Sequence, residues 1–202
     1  KLALVLGGHA HPRLLETYES ERKPVARFTV EQAFARYVLR TAPWLQSSQT
    51  IETPAPDFDI ELGYLYGSPL GVHADLGTTS GMPGSRAPHL WLTRAGERLS
   101  TIDLTGHFVL LAGAQGAEWV RAGERAARAF RNLPLEAHCI GRDLEDPDGR
   151  FTSAFGLTER GCSLVRPDGF IAWRSAEAVP DPQRTLEDAL ARILGHADHS
   201  RP

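Results

Sequence analysis

The stretch Ser163 to Arg174, Ser-Leu-Val-Arg-Pro-Asp-Gly-Phe-Ile-Ala-Trp-Arg, narrows most what this chain can become. It reads as two short strands joined by a tight turn at Pro167-Asp168-Gly169. Proline presets φ, aspartate hydrogen-bonds its own backbone, and glycine accepts a positive φ without a Cβ clash. A lone hairpin is marginal in water, so this one needs a larger sheet. The run His107-Phe-Val-Leu-Leu-Ala112 is the best partner, because successive apolar residues mark a strand covered on both faces. A helical stretch over Ala117 to Phe130, a strand over Glu136 to Ile140 and a closing helix over Thr185 to Leu194 complete the order β-α-β-β-β-α. The expectation is an α/β layer fold with a central mixed sheet.

Composition closes off several classes of function. With 42% hydrophobic and 23% charged residues, the 202-residue chain has enough apolar material for a packed core. A net charge of −3 gives no electrostatic reason to bind nucleic acid or an anionic membrane. The longest apolar run, Phe108 to Ala114, is far short of the roughly 20 residues of a membrane helix. A cytoplasmic protein is expected. The two cysteines, Cys139 and Cys162, make no disulfide framework and have no metal-ligand spacing, so both read as small buried hydrophobes.

Ahead of the α/β part lies a helical region. Lys1 to Leu6 reads as the end of a buried helix, capped by Gly7-Gly8. The chain opens in mid-element without an initiator Met, which leads to the expectation of a longer polypeptide. Pro12 to Arg22 predicts a helix with Leu14, Leu15 and Tyr18 on its apolar face and Glu16, Glu19, Glu21 and Arg22 exposed. Pro24 is expected to end or kink it, and a second segment from Val25 to Leu39 carries the stripe Val25, Phe28, Phe34, Tyr37 and Val38. The domains expected are residues 1–42 as a helical tail, 43–85 as a Pro- and Gly-rich linker, 86–196 as the α/β domain and 197–202 as a frayed end. Within the linker, Ile60 to Tyr66 alternates like one strand, and His89 to Leu92 begins a short extended piece.

No catalytic, cofactor-binding or metal-ligating residue is assigned. Neither a dinucleotide G-x-G-x-x-G nor a phosphate-binding G-x-x-x-x-G-K-[ST] occurs, and Gly113-Ala-Gln-Gly116 reads as a plain strand-to-helix turn. His9 with His11, and His196 with His199, offer only two ligands each. Asp143 to Gly149 has Pro147 where a calcium ligand is needed and reads as a surface turn. His138 and Cys139 are strand neighbours pointing to opposite faces, so the imidazole cannot activate the thiol.

The element order and Val165-Arg-Pro-Asp-Gly-Phe-Ile-Ala-Trp173 resemble the thioredoxin-like fold of peroxiredoxin-type proteins. The redox signature is absent: Ala114-Gln-Gly-Ala-Glu-Trp119 stands where the reactive cysteine belongs, and Arg160-Gly-Cys162 where a cis-proline belongs. A second resemblance spans nearly the whole chain. Lys1-Leu-Ala-Leu-Val-Leu-Gly-Gly8 and Leu14-Leu-Glu-Thr-Tyr-Glu-Ser-Glu-Arg-Lys-Pro-Val-Ala26 are similar to the helical tail of flavoprotein aromatic hydroxylases of the para-hydroxybenzoate hydroxylase group. Leu62 to Pro69, Pro83 to Trp91 and Thr101 to Leu111 are similar to the branch that hydroxylates aromatic polyketides in bacterial antibiotic pathways, which ends in a thioredoxin-like domain without redox cysteines. That resemblance implies the tail helices of a flavin-binding domain followed by such a domain. It implies a full enzyme in which NAD(P)H reduces FAD and an oxygenated flavin hydroxylates an aromatic polyketide or other phenol. The partners it implies are an N-terminal flavin domain and the aromatic substrate, with neither FAD nor NAD(P)H bound by this chain alone. A free-standing thioredoxin-like binding or assembly module is the alternative.

Overall fold

The computed structural model describes residues 1–47, 51–67 and 81–196. Its centre is a four-stranded sheet in the order β4-β3-β5-β6, formed by β3 (Phe108–Ala112), β4 (Leu135–Cys139), β5 (Cys162–Val165) and β6 (Ile171–Ser175). Strand β3 pairs parallel with β4 and antiparallel with β5, and all five of its residues are buried. The sheet is therefore mixed, and its middle strand is the apolar run that the sequence singles out. β5 and β6 form the expected hairpin, closed by Arg166 N–H donating to Phe170 O at 2.7 Å, with Gly169 at φ +81°.

Helix α4 (Ala117–Ala129) connects β3 to β4 and presses Trp119, Val120, Ala122 and Ala126 onto one face of the sheet. The approach is close at Gly123, where a Cβ would stand 3.0 Å from both Ala137 Cβ and Leu110 Cδ2. Helix α6 (Pro182–Ile193) covers the same face through Leu186, Ala189 and Leu190. It starts at Asp181, whose carboxylate accepts from Arg184 N–H at 3.0 Å, with Pro182 next, where a missing N–H costs nothing. The other face is covered by a second hairpin, β1 (Trp91–Arg94) and β2 (Glu97–Ser100), and by α5 (Phe151–Phe155). Leu92, Val109, Leu111, Leu144, Phe151 and Phe155 meet there. The result is an α/β sandwich of thioredoxin-like order.

Two of these elements were not expected. The sequence reading of His89 to Leu92 stops short of the β1–β2 hairpin, whose turn carries Ala95 and Gly96 at φ 51° and 85°, a pair of positive φ values that matches strand twist. α5 is only one turn long, held by Asp146, which accepts from Phe151 N–H at 2.7 Å, and by left-handed Gly156.

The helical part differs more. α1 (Leu2–Leu6) forms as expected but is not buried: Leu2 and Leu6 are exposed. Pro12–Glu16 is a 3-10 turn, and α2 (Thr17–Thr41) then runs unbroken through Pro24. Of the expected end or kink at Pro24, the end is overturned: the residue withholds only one N–H, and the carbonyl it frees belongs to exposed Ser20, where solvent can reach it. The cost of about 3 kcal/mol is offset by Val25, Ala35 and Val38, which are buried. Phe34 and Tyr37, expected in the stripe, are exposed, and Gln32 takes the covered position, accepting from Ala55 N–H at 2.7 Å. The strand expected at Ile60 to Tyr66 is also corrected. α3 (Asp57–Leu62) is helical, with Asp57 and Asp59 in its first turn favouring the positive helix end and Gly63 closing it. Residues 197–202, expected to be frayed, lie outside the described residues, as do 48–50 and 68–80 of the expected linker.

Candidate functional site

The place where thiol chemistry would sit is the turn from β3 into α4. Its backbone N–H groups are all engaged: Gly113 donates to Gly161 O at 3.0 Å, Ala114 to Glu159 Oε2 at 3.1 Å and Gln115 to Glu159 O at 2.8 Å. A Cβ on Gly113 would stand 2.5 Å from Glu159 O, so backbone already fills the space. This glycine-bearing turn therefore has no free donors for a phosphate, and among the described residues it is the one that resembles a dinucleotide loop. That turn offers FAD no phosphate cradle.

Both cysteines are buried. Cys139 and Cys162 pair with Ala112 from its two sides, which places their Cα atoms two strand spacings, about 10 Å, apart, beyond disulfide reach. Burial pushes both thiols up, Cys162 far up, and Cys139 Sγ donates to Gly113 O at 3.2 Å. Neither is available as a thiolate at neutral pH.

The histidine pairs are dispersed. His11 Nδ1 accepts from Arg13 N–H at 3.2 Å, and His196 Nε2 lies 3.0 Å from His9 O; His199 is outside the described residues. Glu136 stands between His107 Nε2 at 3.3 Å and His138 Nε2 at 3.2 Å, on the β3–β4 edge. Each imidazole faces a different carboxylate oxygen, and Arg94 lies 3.4 Å from His138. Burial and Arg94 lower the His138 pKa against the opposing pull of Glu136. Among the described residues no group of three or more His, Cys, Asp or Glu is arranged to hold a metal ion, and no helix is long and apolar enough to cross a membrane.

The densest charged cluster lies where the helices meet the hairpin. Arg166, at the exit of β5, donates to both oxygens of Glu21 at 3.0 and 3.1 Å and to both oxygens of Asp168 at 3.0 and 2.6 Å. Lys1 Nζ reaches Glu21 Oε2 at 2.8 Å and Thr17 Oγ1 at 2.5 Å. The side chains of Lys1, Glu21 and Arg166 keep only 11%, 18% and 16% of their exposure. Burial alone would raise the Glu21 carboxyl, but the Arg166 and Lys1 hydrogen bonds outweigh it and hold the pKa below the usual carboxylate range. Burial pulls Arg166 down and its two carboxylates more than restore it. Tyr66 completes the junction, its hydroxyl accepting from Arg22 at 2.7 Å and its ring 4.5 Å from that of Phe170. Sequence reading missed this cluster and placed Glu21 on the exposed face, because only the fold brings a partner 145 residues away. The one local signal was Arg166 two residues before Asp168 at a turn.

Beside the cluster is a cavity of about 720 Å³ between α1, the start of α2 and the sheet, lined by Leu4, Leu14, Phe108, Pro134, Arg166 and Ile193 among others.

Comparison with known proteins bears on both sides of this junction. The family described as aromatic-ring hydroxylase, C-terminal, matches residues 80–197, and the FAD binding domain family matches residues 1–33. The chain is 47% identical to 4-methyl-5-nitrocatechol 5-monooxygenase of Burkholderia sp, covering 96% of this chain and 38% of that protein. It is 43% identical to aklavinone 12-hydroxylase RdmE of Streptomyces purpurascens, covering 96% of this chain and 37% of that protein. Among solved structures it resembles aklavinone-11 hydroxylase in a ternary complex with FAD and aklavinone, with a TM-score of 0.89, 41% identity, and coverage of 96% of this chain and 37% of that one. The flavin-dependent monooxygenase PieE, at a TM-score of 0.76 and 29% identity, covers 97% of this chain and 42% of that one. The chain thus spans less than two fifths of the curated relatives named here.

Proposed function

This chain belongs to the aromatic-ring hydroxylase family, matched through that family's C-terminal domain, and from that premise we propose that it is the C-terminal portion of an FAD-dependent monooxygenase acting on an aromatic polyketide or other phenol. The observation that carries the reading is the adjacency of two matches in one fold: an FAD-binding family over α1 and the first two thirds of α2, and the hydroxylase C-terminal family over the sandwich. The reaction proposed takes two electrons from NAD(P)H, places one atom of dioxygen on the ring and releases the other as water. FAD would carry those electrons, held by chain other than the residues described here.

Residues 1–42 are proposed as the tail of the flavin domain, 43–85 as the connection and 86–196 as the C-terminal domain, in a cytoplasmic protein. The C-terminal domain has a structural task on this reading, since its cysteines are withdrawn and its Gly113–Gly116 turn is closed. No catalytic residue of this chain is proposed. Exposed Val30, Phe34, Tyr37 and Leu39 on α2 support an N-terminal flavin domain as partner.

The test is to purify the longest natural polypeptide containing this sequence and record its visible spectrum, then follow NAD(P)H oxidation with phenolic substrates under ¹⁸O₂. Bound flavin and one ¹⁸O atom in the product are expected. A colourless protein with no substrate-stimulated NAD(P)H oxidation would contradict the reading.

A further inference from the structure

We infer that Glu21 and Arg166 form a clasp by which the C-terminal domain sets the angle of α2, the helix that carries the flavin-domain match; this rests on the two-domain division proposed above. The two parts of the chain meet in two regions. At one, Ala10 and Leu14 join the apolar cluster of Leu186, Leu190 and Leu194, and His11 N–H donates to Leu194 O at 2.9 Å. In the same region Arg131 also donates to Gly8 O at 3.5 Å and His196 Nε2 lies 3.0 Å from His9 O. At the other, Glu21 meets Arg166. The cavity of about 720 Å³ lies between them. A single apolar anchor fixes a helix in position but leaves it free to pivot, so with open space beside it the second anchor has to set the direction.

The geometry of Arg166 suits that task. Asp168, two residues on, already holds the guanidinium with two hydrogen bonds inside the hairpin turn, so the fork is oriented before Glu21 arrives and little side-chain freedom is lost on closure. Bidentate pairing is directional where a lone lysine contact is not. Lys1 comes to Glu21 from α1 and Arg22 to Tyr66 from α2, so both helices are gathered at one turn of the sheet. A charge this far from water is costly to leave unpaired, and an opened clasp is penalised twice.

The test uses the full-length protein and the variants Glu21→Gln, Arg166→Gln, Arg166→Lys and the Glu21→Gln/Arg166→Gln double. Calorimetry and chymotrypsin cleavage in the connection, which carries Trp44, Leu45 and Phe58 but no Lys or Arg, are the readouts. Arg174→Gln is the control, since Arg174 bonds Gly81 O and Phe155 O and touches neither Glu21 nor α2. Each single Gln variant is expected to split one cooperative transition into two and to speed cleavage by roughly tenfold, while the double variant goes no further than the worse single, as groups acting as a unit do. Arg166→Lys should fall between wild type and Arg166→Gln. Arg174→Gln should lower the C-terminal transition without separating it. Additive effects, or an unsplit transition in both single variants, overturn the clasp. The visible spectrum of the wild type scores the flavoprotein reading separately, so a protein without flavin sinks that reading while the transitions still decide the clasp.

Discussion

The sandwich and the helical tail of this chain solve the burial problem in opposite ways. In the sandwich both faces of β3 are covered by the chain's own residues, with α4 and α6 on one side and the β1–β2 hairpin and α5 on the other. Along α2, Val25, Gln32, Ala35 and Val38 are covered while Val30, Phe34, Tyr37 and Leu39 face outward. The sandwich closes most of its core with its own residues, and Ala10 and Leu14 of the helical part complete one side of it. A helix with apolar residues on two sides, only one of them covered, leaves apolar surface facing outward, and the flavin domain proposed above would cover it.

The difference can be tested first where it is largest. Leu110→Ala, in the fully buried centre of β3, should cost about 3 kcal/mol in chemical denaturation; a loss under about 1 kcal/mol would mean the sandwich core is looser than described. Gly113→Ala should cost about 2 kcal/mol by overpacking, because its Cβ would meet Glu159 backbone at 2.5 Å. A neutral result there would show that the turn can open, which would also reopen the question of what it can bind.

At the junction the effect is smaller and depends on pH. The folded-state pKa of Glu21 is depressed, so its contribution is fully present above the unfolded carboxylate value and is lost as pH falls through the lower folded value. Glu21→Gln should therefore cost about 1–3 kcal/mol near neutrality and almost nothing below the folded pKa. A penalty that stayed constant from pH 7 into that acid range would mean shape, not charge, holds the junction. On the outer face of α2 the effect is least: Phe34→Ser should change the stability of this chain by less than about 0.5 kcal/mol.

How much of this was legible in the sequence follows the same divide. The unbroken apolar run at Phe108 to Ala112 and the Pro-Asp-Gly turn are local signals, and the sheet formed around them as read. The β1–β2 hairpin was passed over because its turn is Ala95-Gly96, a weaker mark than Asn-Gly or Asp-Gly, and because Arg94 and Glu97 break the alternation. Pro24 does not end the helix, as one branch of the local rule would have it, because distant contacts stabilise α2 on both sides of it. Ile60 to Tyr66 misled because its alternation is also compatible with a short helix once Asp57, Asp59 and Gly63 set the ends. At the junction, Glu21 looked like one more surface acid in a charged run, and no periodicity could reveal that Arg166 waits for it across the fold. The family resemblance, carried by segments spread along the whole chain, reached further than any of these, and the matches over residues 1–33 and 80–197 agree with it.

The measurement that tests the account most directly is hydroxyl-radical footprinting of Phe34 and Tyr37, 38% and 53% exposed here, in the 202-residue chain and in the longer flavin-containing polypeptide proposed for it. Strong oxidation of both in the short chain and protection of both in the long one is the predicted result. Equal oxidation in the two would mean that no flavin domain covers this face of α2, and the assignment of residues 1–42 to such a domain would be wrong.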